Sequence, residues 1–410
     1  KNQVYVYDDN IKLIENYKIK KKIYNIKKII RNNFDYIVVS PGINIKKCSL
    51  RNYIKKNSNK IITDLDIFYS ENSKNKNITI TGTNGKSTCV QILYEILKEH
   101  KYDVRLVGNI GHPILAEKKI TGKTVFVIEA SSYQIEYSNL FKTNYAAILN
   151  ITPDHLDRHK TMTNYVKSKF KLILNQKKGD IAFLDIENNY LKKQIKKNKI
   201  CSDIKHVVSS LPRKFIKKII NPYFFTAGNK QNLAFILEIV KRLKLDSNKV
   251  FKIINNFKGL KYRQQTIFDS QNIKIINDSK ATSFASSINI LKSLENAYWI
   301  VGGIPKYADK FFLTKKECLK FRAYIFGKNK NFFSEQFKNK INYKCSKDIK
   351  DAFDTIITDI KSTKLKKKYT ILFSPAAASF DSFKNFEDRG NYFDSLIKKV
   401  SIKDNFNELW

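Results

Sequence analysis

Residues 78–88 have the sequence ITITGTNGKST, and this stretch decides the fold of the 410-residue chain. Its β-branched start predicts a buried strand, and the apolar residues of segment 90–97 recur at a helical period after the glycine-containing loop. A glycine loop between a strand and a helix can bring backbone N–H groups and a helix N-terminus against phosphate oxygens. The match to the pattern GxxxxGK[ST] is incomplete, because its first glycine would fall on Ile80. We nevertheless predict a phosphate-binding loop.

The residues after this loop suggest a metal ion as well as a phosphate. Lys86 would reach the terminal phosphates, and the hydroxyl of Ser87 or Thr88 would hold Mg²⁺. Glu129 ends an apolar run, which is where phosphate-loop enzymes place a metal-holding carboxylate. A helix cap or a surface glutamate is the alternative interpretation of Glu129. The later DHLD sequence around His155 also suits a metal site, although Mg²⁺ seldom prefers histidine and such clusters also cap turns.

Strands alternate with helices along the whole chain, which predicts an α/β protein with parallel sheets. Continuous apolar strands with polar residues at their C-terminal ends are typical of buried parallel sheets, whose ligands bind at that edge. The predicted strands cover residues 4–7, 34–39, 78–80, 125–128, 146–149, 273–276, 299–301 and 369–373.

The composition describes a globular chain with a strong positive charge. Lys and Arg number 77 against 37 Asp and Glu, for a net charge of +40. A nucleic-acid partner would explain the basic residues. However, Asn, Ile, Tyr and Phe are abundant as well, so we interpret the charge as a compositional drift. Five isolated cysteines suit a reducing cytoplasm, and no apolar stretch approaches the length of a membrane helix.

Five motifs occur in an order that resembles the Mur ligase family. They are GTNGKST at 82–88, EASSYQIE at 129–136, LNITPDHLDRH at 149–159, NDSKAT at 277–282 and SPAAASFDSFKNFEDRG at 374–390. The resemblance implies three domains: a Rossmann-like domain over residues 1–69 for the UDP substrate, a central ATP-binding domain with a P-loop-type parallel sheet over 70–262, and a Rossmann-like amino-acid-binding domain over 263–410. The first domain is expected to be truncated, because its opening strand and glycine loop have no counterpart.

The resemblance also implies an activity. The last motif and the ASSYQ block resemble most closely the D-glutamate-adding members of the family. ATP would phosphorylate the alanyl carboxylate of UDP-N-acetylmuramoyl-L-alanine, and D-glutamate would attack the acyl phosphate, in peptidoglycan synthesis. We expect a cytoplasmic monomer with two Mg²⁺ sites, no nucleic-acid partner and no membrane insertion. The alternatives are another Mur ligase, a folylpolyglutamate synthetase-like ligase, a degenerate non-catalytic relative, or a basic nucleic-acid-binding P-loop protein.

Site residues follow from the resemblance, position by position. The catalytic residues are Lys86, His155 and Lys169, of which Lys169 aligns with a carbamylated lysine. ATP would contact Gly82, Thr83, Asn84, Gly85, Lys86, Ser87, Thr88, Asn229, Asn232, Arg263 and Asp278. The two metal ions would contact Ser87, Thr88, Glu129, His155 and Lys169. The substrates would contact Ser40, Pro41, Gly42, Asn109, Ser131, Gln134, Lys280, Thr282, Lys306, Ser379 and Phe386.

Several positions depart from the family's pattern. Gly228 stands where a histidine is usual, Lys261 and Tyr262 replace Pro-His, and Ile304 and Ala377 replace an aspartate and a cysteine. These changes lie in the expected nucleotide and hinge regions rather than in the expected metal site. We therefore predict that the chemistry is retained and that the affinities are altered.

Overall fold

The computed structural model describes residues 3–16, 22–23, 25–208, 211, 213–306, 309–362 and 368–403. The chain forms two compact units, the first comprising residues 1–209 and 234–249 and the second residues 210–233 and 250–410. The predicted domain boundaries at 69/70 and 262/263 are a finer division, and they stay predictions.

The first unit contains nine helices and eight strands among its described residues, apart from the helices it shares with the second. The helices are α1 (Ile11–Asn16), α2 (Ile26–Arg31), α3 (Arg51–Lys56), α4 (Asp64–Asn72), α5 (Lys86–Glu99), α6 (Ser132–Tyr137), α7 (Leu156–His159), α8 (Met162–Leu174) and α9 (Asn189–Lys197). The strands are β1 (Ile37–Val38), β2 (Ile61–Ile62), β3 (Asn77–Thr81), β4 (Val104–Gly108), β5 (Val125–Glu129), β6 (Tyr145–Ile148), β7 (Ile181–Leu184) and β8 (Asp203–His206). Short 3-10 turns cover Ser58–Lys60 and Ile114–Ala116.

Six of these strands form a parallel sheet in the order β4-β5-β3-β6-β7-β8. All residues of β3 and β5 are buried, as expected for a sheet that is covered on both faces. In the register of the sheet, Ile80 lies beside Glu129 and Thr81 beside Ile148. The carboxyl ends of the three central strands are therefore level, and the loops that follow them share one edge.

Helix α5 begins directly after the glycine loop that is predicted to bind phosphate. Gly85 precedes it with a φ of 85°, a left-handed conformation that glycine adopts without a Cβ clash. The residues predicted from the 3.6-residue period, Val90, Leu93, Ile96 and Leu97, are all fully buried. The apolar period therefore fixes which face of α5 packs inward and leaves its N-terminus at the carboxyl edge of the sheet.

The N-terminal region contains less sheet than the sequence predicts. Residues 4–7 do not form a strand: Val6 makes only an isolated parallel bridge with Lys22. The strand predicted at 34–39 shortens to β1, which pairs with β2 in a two-stranded parallel sheet. Because Val4 is 57% exposed, its segment gains little from β pairing.

The second unit is built on a six-stranded sheet, and the division between the units passes through α11 and α12. Its strands are β9 (Gln265–Asp269), β10 (Ile273–Asn277), β11 (Ala297–Gly302), β12 (Phe321–Phe326), β13 (Tyr343–Cys345) and β14 (Tyr369–Phe373). Its helices, with the two shared ones, are α10 (Arg213–Ile216), α11 (Ala227–Arg242), α12 (Ser247–Asn256), α13 (Phe284–Leu291), α14 (Lys315–Cys318), α15 (Lys330–Phe337), α16 (Ile349–Ser362) and α17 (Phe386–Lys403), and a 3-10 turn covers Pro222–Phe225.

The strand order of this second sheet is β13-β12-β11-β14-β10-β9. All neighbours are parallel except β9, which runs antiparallel to β10 at the edge. Apolar clusters cover both faces, as in a Rossmann-like α/β layer structure. The predicted α/β fold class is confirmed. Across the described residues of both units, no helix has the length and apolar character needed to span a bilayer.

Candidate active site

The loop after β3 is held in place by Asn150, the polar residue that follows the neighbouring strand β6. The Asn150 side chain accepts a hydrogen bond from the Asn84 N–H at 2.9 Å and donates one to the Asn84 carbonyl at 3.1 Å. The backbone carbonyl of Asn150 accepts the Thr83 N–H at 3.0 Å. Close packing needs a glycine at Gly82, where an added Cβ would lie 3.1 Å from the Cβ of Leu149. These contacts with Asn150 hold the loop in a defined conformation.

Two lysines converge on this loop. The Lys86 ammonium donates to the carbonyls of Gly82 and Thr83, at 2.9 and 2.8 Å. The Lys169 amine, on α8, donates to the same Gly82 carbonyl at 2.9 Å and lies 3.3 Å from the Thr81 hydroxyl. The Gly82 carbonyl therefore accepts hydrogen bonds from both lysines, and the two predicted catalytic lysines lie together.

Lys169 is the more unusual of the two because it is buried, with 2% of its surface exposed. Burial, and then the nearby charge of Lys86, hold the pKa of Lys169 well below its usual range. Its Nζ also lies 4.9 Å from the centre of the Tyr165 ring, one helical turn earlier on α8. A buried lysine with a depressed pKa carries a neutral, nucleophilic amine more readily than a surface lysine does.

The predicted metal ligands Ser87 and Glu129 contact each other. The Ser87 hydroxyl donates to one Glu129 carboxylate oxygen at 2.5 Å, and the Asn109 amide donates to the other at 2.9 Å. Glu129 is 1% exposed, and Thr88, the next residue on α5, is also buried. Among the described residues no group of three His, Cys, Asp or Glu side chains is placed to hold a metal. A hydroxyl, a carboxylate and an amide fit the oxygen-rich, partly solvated shell of Mg²⁺ when phosphates supply the remaining ligands.

His155 lies in a second cluster at the same edge. It has a left-handed φ of 54° at the start of α7, and its Nδ1 lies 2.9 Å from the Tyr133 hydroxyl. Its Nε2 lies 3.4 Å from an Asp154 carboxylate oxygen. The Tyr165 ring, which faces Lys169, is centred 6.4 Å from the His155 ring, and the Tyr165 hydroxyl lies 3.0 Å from the Thr83 hydroxyl. Tyr165 therefore lies next to the loop, Lys169 and His155.

The residues predicted to contact the muramoyl substrate all lie in the first unit. Ser131 and Gln134 make a capping box at the start of α6, and Gln134 also donates to Asp64 at 3.2 Å. The interpretation of Ser131 as a helix cap thus holds, whatever else it contacts. Ser40 and Pro41 precede Gly42, whose carbonyl accepts a hydrogen bond from Arg158 at 3.3 Å.

In the second unit, two of the residues predicted to bind the nucleotide, Arg263 and Asp278, lie just before β9 and just after β10. Asp278 follows that strand, is 5% exposed, and accepts hydrogen bonds from the Gln264 N–H at 3.0 Å and the Ser374 hydroxyl at 2.7 Å. Burial raises its pKa to about 7. Arg263, half-buried, precedes Gln264 and opposes this rise through its charge.

The remaining nucleotide residues lie on α11. Asn229 donates to the Tyr223 carbonyl at 2.8 Å, and Asn232 donates to the Asn229 side chain at 3.4 Å. Both asparagines are buried, at 8% and 4% exposure. Two amides at i and i+3 therefore form a linked pair on one face of this helix.

The predicted amino-acid residues also lie in the second unit. The Lys280 ammonium lies 3.5 Å from the centre of the Phe386 ring, a cation–π contact. Ser379 is 2% exposed, whereas Thr282 and Lys306 are half-buried. These residues follow the carboxyl ends of β10, β11 and β14, which the strand register places side by side.

Comparison with known proteins identifies the family of the chain. The Mur ligase middle domain matches residues 80–223. The UDP-N-acetylmuramoylalanine–D-glutamate ligase of Rickettsia felis is 34% identical over an alignment covering 97% of this chain and 92% of the relative. The chain belongs to the Mur ligase family. A ligase of the same name from Francisella philomiragia is also 34% identical, over 90% of this chain and 87% of the relative.

Two solved ADP complexes share the fold of this family member. The MurF ligase from Thermotoga maritima, in complex with ADP, superposes with a TM-score of 0.59 at 17% identity, covering 91% of each chain. FolC of E. coli, also with ADP, gives a TM-score of 0.56 at 14% identity, over 86% of this chain and 98% of FolC. At such identities the likeness establishes the fold alone.

Sequence reasoning missed residues of this Mur ligase that hold the site together. Asn150, Tyr165 and Tyr133 contact the loop or the predicted ligands, and Arg158 lies 4.9 Å from the centre of the Tyr133 ring. The position of Asn150 at a strand end and the i, i+4 spacing of Tyr165 and Lys169 were available signals. Tyr133 and Arg158 had none beyond their membership of the motifs.

Proposed function

We propose that this chain is an ATP-dependent amide-bond ligase that adds D-glutamate to UDP-N-acetylmuramoyl-L-alanine through an acyl phosphate. One observation carries the proposal: Lys86, Lys169 and the Ser87–Glu129 pair surround one phosphate-binding loop, in a chain that aligns along almost its full length with D-glutamate ligases. A carboxylate becomes a useful electrophile only after phosphorylation gives it a leaving group.

The chain's own groups support this reaction through electrostatics. The loop N–H groups and the N-terminus of α5 would bind the ATP phosphates, and Lys86 would turn from the loop carbonyls to the terminal phosphate. The alanyl carboxylate attacks that phosphate and releases ADP. The neutral amine of D-glutamate then attacks the acyl carbon, and the tetrahedral adduct expels inorganic phosphate and loses a proton to form the amide.

Two magnesium ions are part of the proposal. Ser87, Thr88 and Glu129 would hold one ion, and His155 with a modified Lys169 the other. Bound Mg²⁺ would neutralise the charge that gathers when a carboxylate approaches a polyphosphate. The Ser87–Glu129 hydrogen bond supports the first site, because it places a hydroxyl oxygen and a carboxylate oxygen side by side.

Carbamylation of Lys169 is the modification that would make it a ligand. A neutral Lys169 amine adds to CO₂, the new N–C bond forms, one proton leaves, and an anionic carbamate replaces the cation. Burial and the neighbouring Lys86 favour the neutral amine that this step needs. Transfer of ¹³CO₂ to the protein, seen as a carbamate carbon resonance that disappears in Lys169→Met, tests the modification apart from activity.

The partners in this proposal are ATP and the two named substrates, with the chain acting as a cytoplasmic monomer. Arg263, Asp278, Asn229 and Asn232 would contact the nucleotide, and the residues around Lys280 would contact D-glutamate. The peptidoglycan role follows from the two substrates.

The experiment that tests the function is acceptor-dependent phosphate release. Purified protein is given UDP-N-acetylmuramoyl-L-alanine, ATP, Mg²⁺ and either D-glutamate, L-glutamate or another amino acid. We expect release and amide product with D-glutamate. Lys86→Ala should abolish both, whereas Lys98→Ala, an exposed lysine on the same helix, should not. Release with a different acceptor alone would favour another Mur ligase or a folylpolyglutamate synthetase-like enzyme, and no release with any would favour a non-catalytic relative.

A further inference from the structure

Arg389 is a fully buried arginine that none of the roles above uses. It lies in the first turns of α17 and has no exposed surface. Its Nε donates to the Ser279 hydroxyl at 3.1 Å, and its Nη2 donates to the carbonyls of Ser279 at 2.7 Å and Ala377 at 3.0 Å. One guanidinium therefore joins the loop after β10 to the loop after β14.

A third loop passes directly over the same guanidinium. A Cβ added to Gly303 would lie 3.2 Å from Arg389 Nη1 and 2.4 Å from the carbonyl oxygen of Ala378. The next residue, Ile304, exchanges two backbone hydrogen bonds with Ala378, at 2.9 and 2.8 Å. The loop after β11 is thus locked to the loop after β14 immediately above Arg389, and glycine is required there.

The residues predicted to bind the amino acid lie one to three positions from these contacts. Lys280 and Thr282 follow Ser279, Ser379 follows Ala378, and Lys306 lies two residues after Ile304. The Ser279 hydroxyl also donates to the carbonyl of Phe386, at 2.9 Å. Every loop that carries a predicted contact to the amino acid therefore has a backbone or side-chain anchor at or beside the guanidinium.

The position of Arg389 has a cost that packing alone does not explain. Its Nη1 atom has no hydrogen-bond partner among the described residues, and the same is true of the buried Asp381 Oδ2, whose charge acts on Arg389. A buried guanidinium with an unused donor is destabilising relative to an apolar side chain of similar volume. An arginine at this place is explained if the fixed planar fork is needed to hold several carbonyls in one arrangement.

We propose that Arg389 is a positioning residue for the amino-acid acceptor, which sets the spacing of the three loops that bind the acceptor's carboxylates. This inference rests on the proposed function. Arg389 itself touches no reacting atom, because its whole side chain lies beneath the loops. A lysine cannot replace it, since a single ammonium cannot reach the hydroxyl and both carbonyls in the geometry of the fork.

The test measures Michaelis constants for the acceptor and for the UDP substrate in Arg389→Lys, Arg389→Ala and Ser279→Ala. Arg322→Ala, which changes an exposed arginine of the same unit, is the control. Losing charge-assisted hydrogen bonds should raise the acceptor KM by about tenfold or more in the two Arg389 variants, and less in Ser279→Ala. The KM for the UDP substrate should stay within about twofold of the parent value, because its predicted contacts lie in the first unit and the substitutions lie in the second.

A second measurement separates positioning from general destabilisation. Guanidinium chloride at low millimolar concentration, far below unfolding concentrations, should lower the acceptor KM of Arg389→Ala towards the parent value. Sodium chloride at equal ionic strength should not. If Arg389→Ala does not fold, Arg389→Lys and Ser279→Ala still decide the question.

The outcomes are distinct for the two proposals. An unchanged acceptor KM in Arg389→Lys, or equal changes in both KM values with no rescue by guanidinium, would overturn the positioning role. If the parent accepts an amino acid other than D-glutamate, the proposed function fails, but the KM for that amino acid still tests Arg389.

Discussion

Asp278 offers the most specific test of the second unit, through the substitution Asp278→Asn. The carboxylate is buried at the end of β10, where it accepts one hydrogen bond from the Gln264 backbone and one from the Ser374 hydroxyl. Asparagine has the same shape, can accept the first hydrogen bond, and can pair with the hydroxyl after it rotates. The substitution therefore removes the titration with little change in packing.

The magnitude follows from the pKa. Burial raises the pKa of Asp278 from 3.8 to about 7, and this difference corresponds to about 4 kcal/mol in the free energy of unfolding. Because the folded pKa is the higher one, the contribution is fully present below pH 3.8 and is lost as the pH rises through about 7. The free energy of unfolding of the parent should fall between pH 3.8 and about 7. The fall should be smaller in Asp278→Asn, by up to about 4 kcal/mol.

The assay is urea unfolding at pH values from 4 to 8, followed by tryptophan fluorescence. Trp299 is fully buried in the second unit and donates to the Ser374 carbonyl at 2.7 Å, so its emission reports on this region. A Trp410→Phe background leaves Trp299 as the sole tryptophan, since the chain has two. Asp269→Asn, an exposed aspartate on β9, is the matched control. Parallel pH profiles for the parent and Asp278→Asn would refute the argument that burial dominates the titration.

Three further predictions concern a hydrogen bond, a packing contact and a buried charge. Tyr165→Phe should lower the stability of the first unit by about 1 kcal/mol, because the Thr83 hydroxyl loses a buried partner; calorimetry measures this, and no change would contradict it. Gly390→Ala should cost about 1–3 kcal/mol, because the new Cβ would lie 2.3 Å from the Tyr262 ring, and equal denaturant midpoints would show that the ring moves freely. Lys169→Met in CO₂-free buffer should stabilise the protein increasingly as the pH falls below 10.5, since the buried amine resists protonation; a pH-independent difference in Tm would count against this.

Much of the fold was predictable because its strands and helices have strong patterns. The fully buried strands β3 and β5 and the periodic apolar face of α5 follow from local sequence patterns. The N-terminal strand at residues 4–7 was predicted wrongly because Val–Tyr alternation indicates a strand only where a neighbouring strand is available to pair with.

The candidate site was predictable only in part, for a different reason. Residues at strand ends, such as Glu129 and Asp278, were found because parallel topology brings those ends to one edge. The convergence of Lys169 and Lys86 on one carbonyl depends on tertiary packing, as does the burial of Arg389, and neither has a local pattern. An arginine inside a charged, helical stretch predicts a solvated face.

The antiparallel strand β9 has a consequence for how this chain can change in length. Because β9 runs opposite to β10, Gln265 lies beside Asn277, and the backbone N–H of Gln264 donates to Asp278. The polypeptide therefore enters the second sheet at the edge where β10 ends rather than at the far end. An insertion of even one residue just before β9 would shift Gln264 away from Asp278, whereas the turn between β9 and β10 lies at the opposite end and should tolerate added residues. We expect the turn between β9 and β10 to accept inserted tags or domains, and we expect natural length variation to occur there.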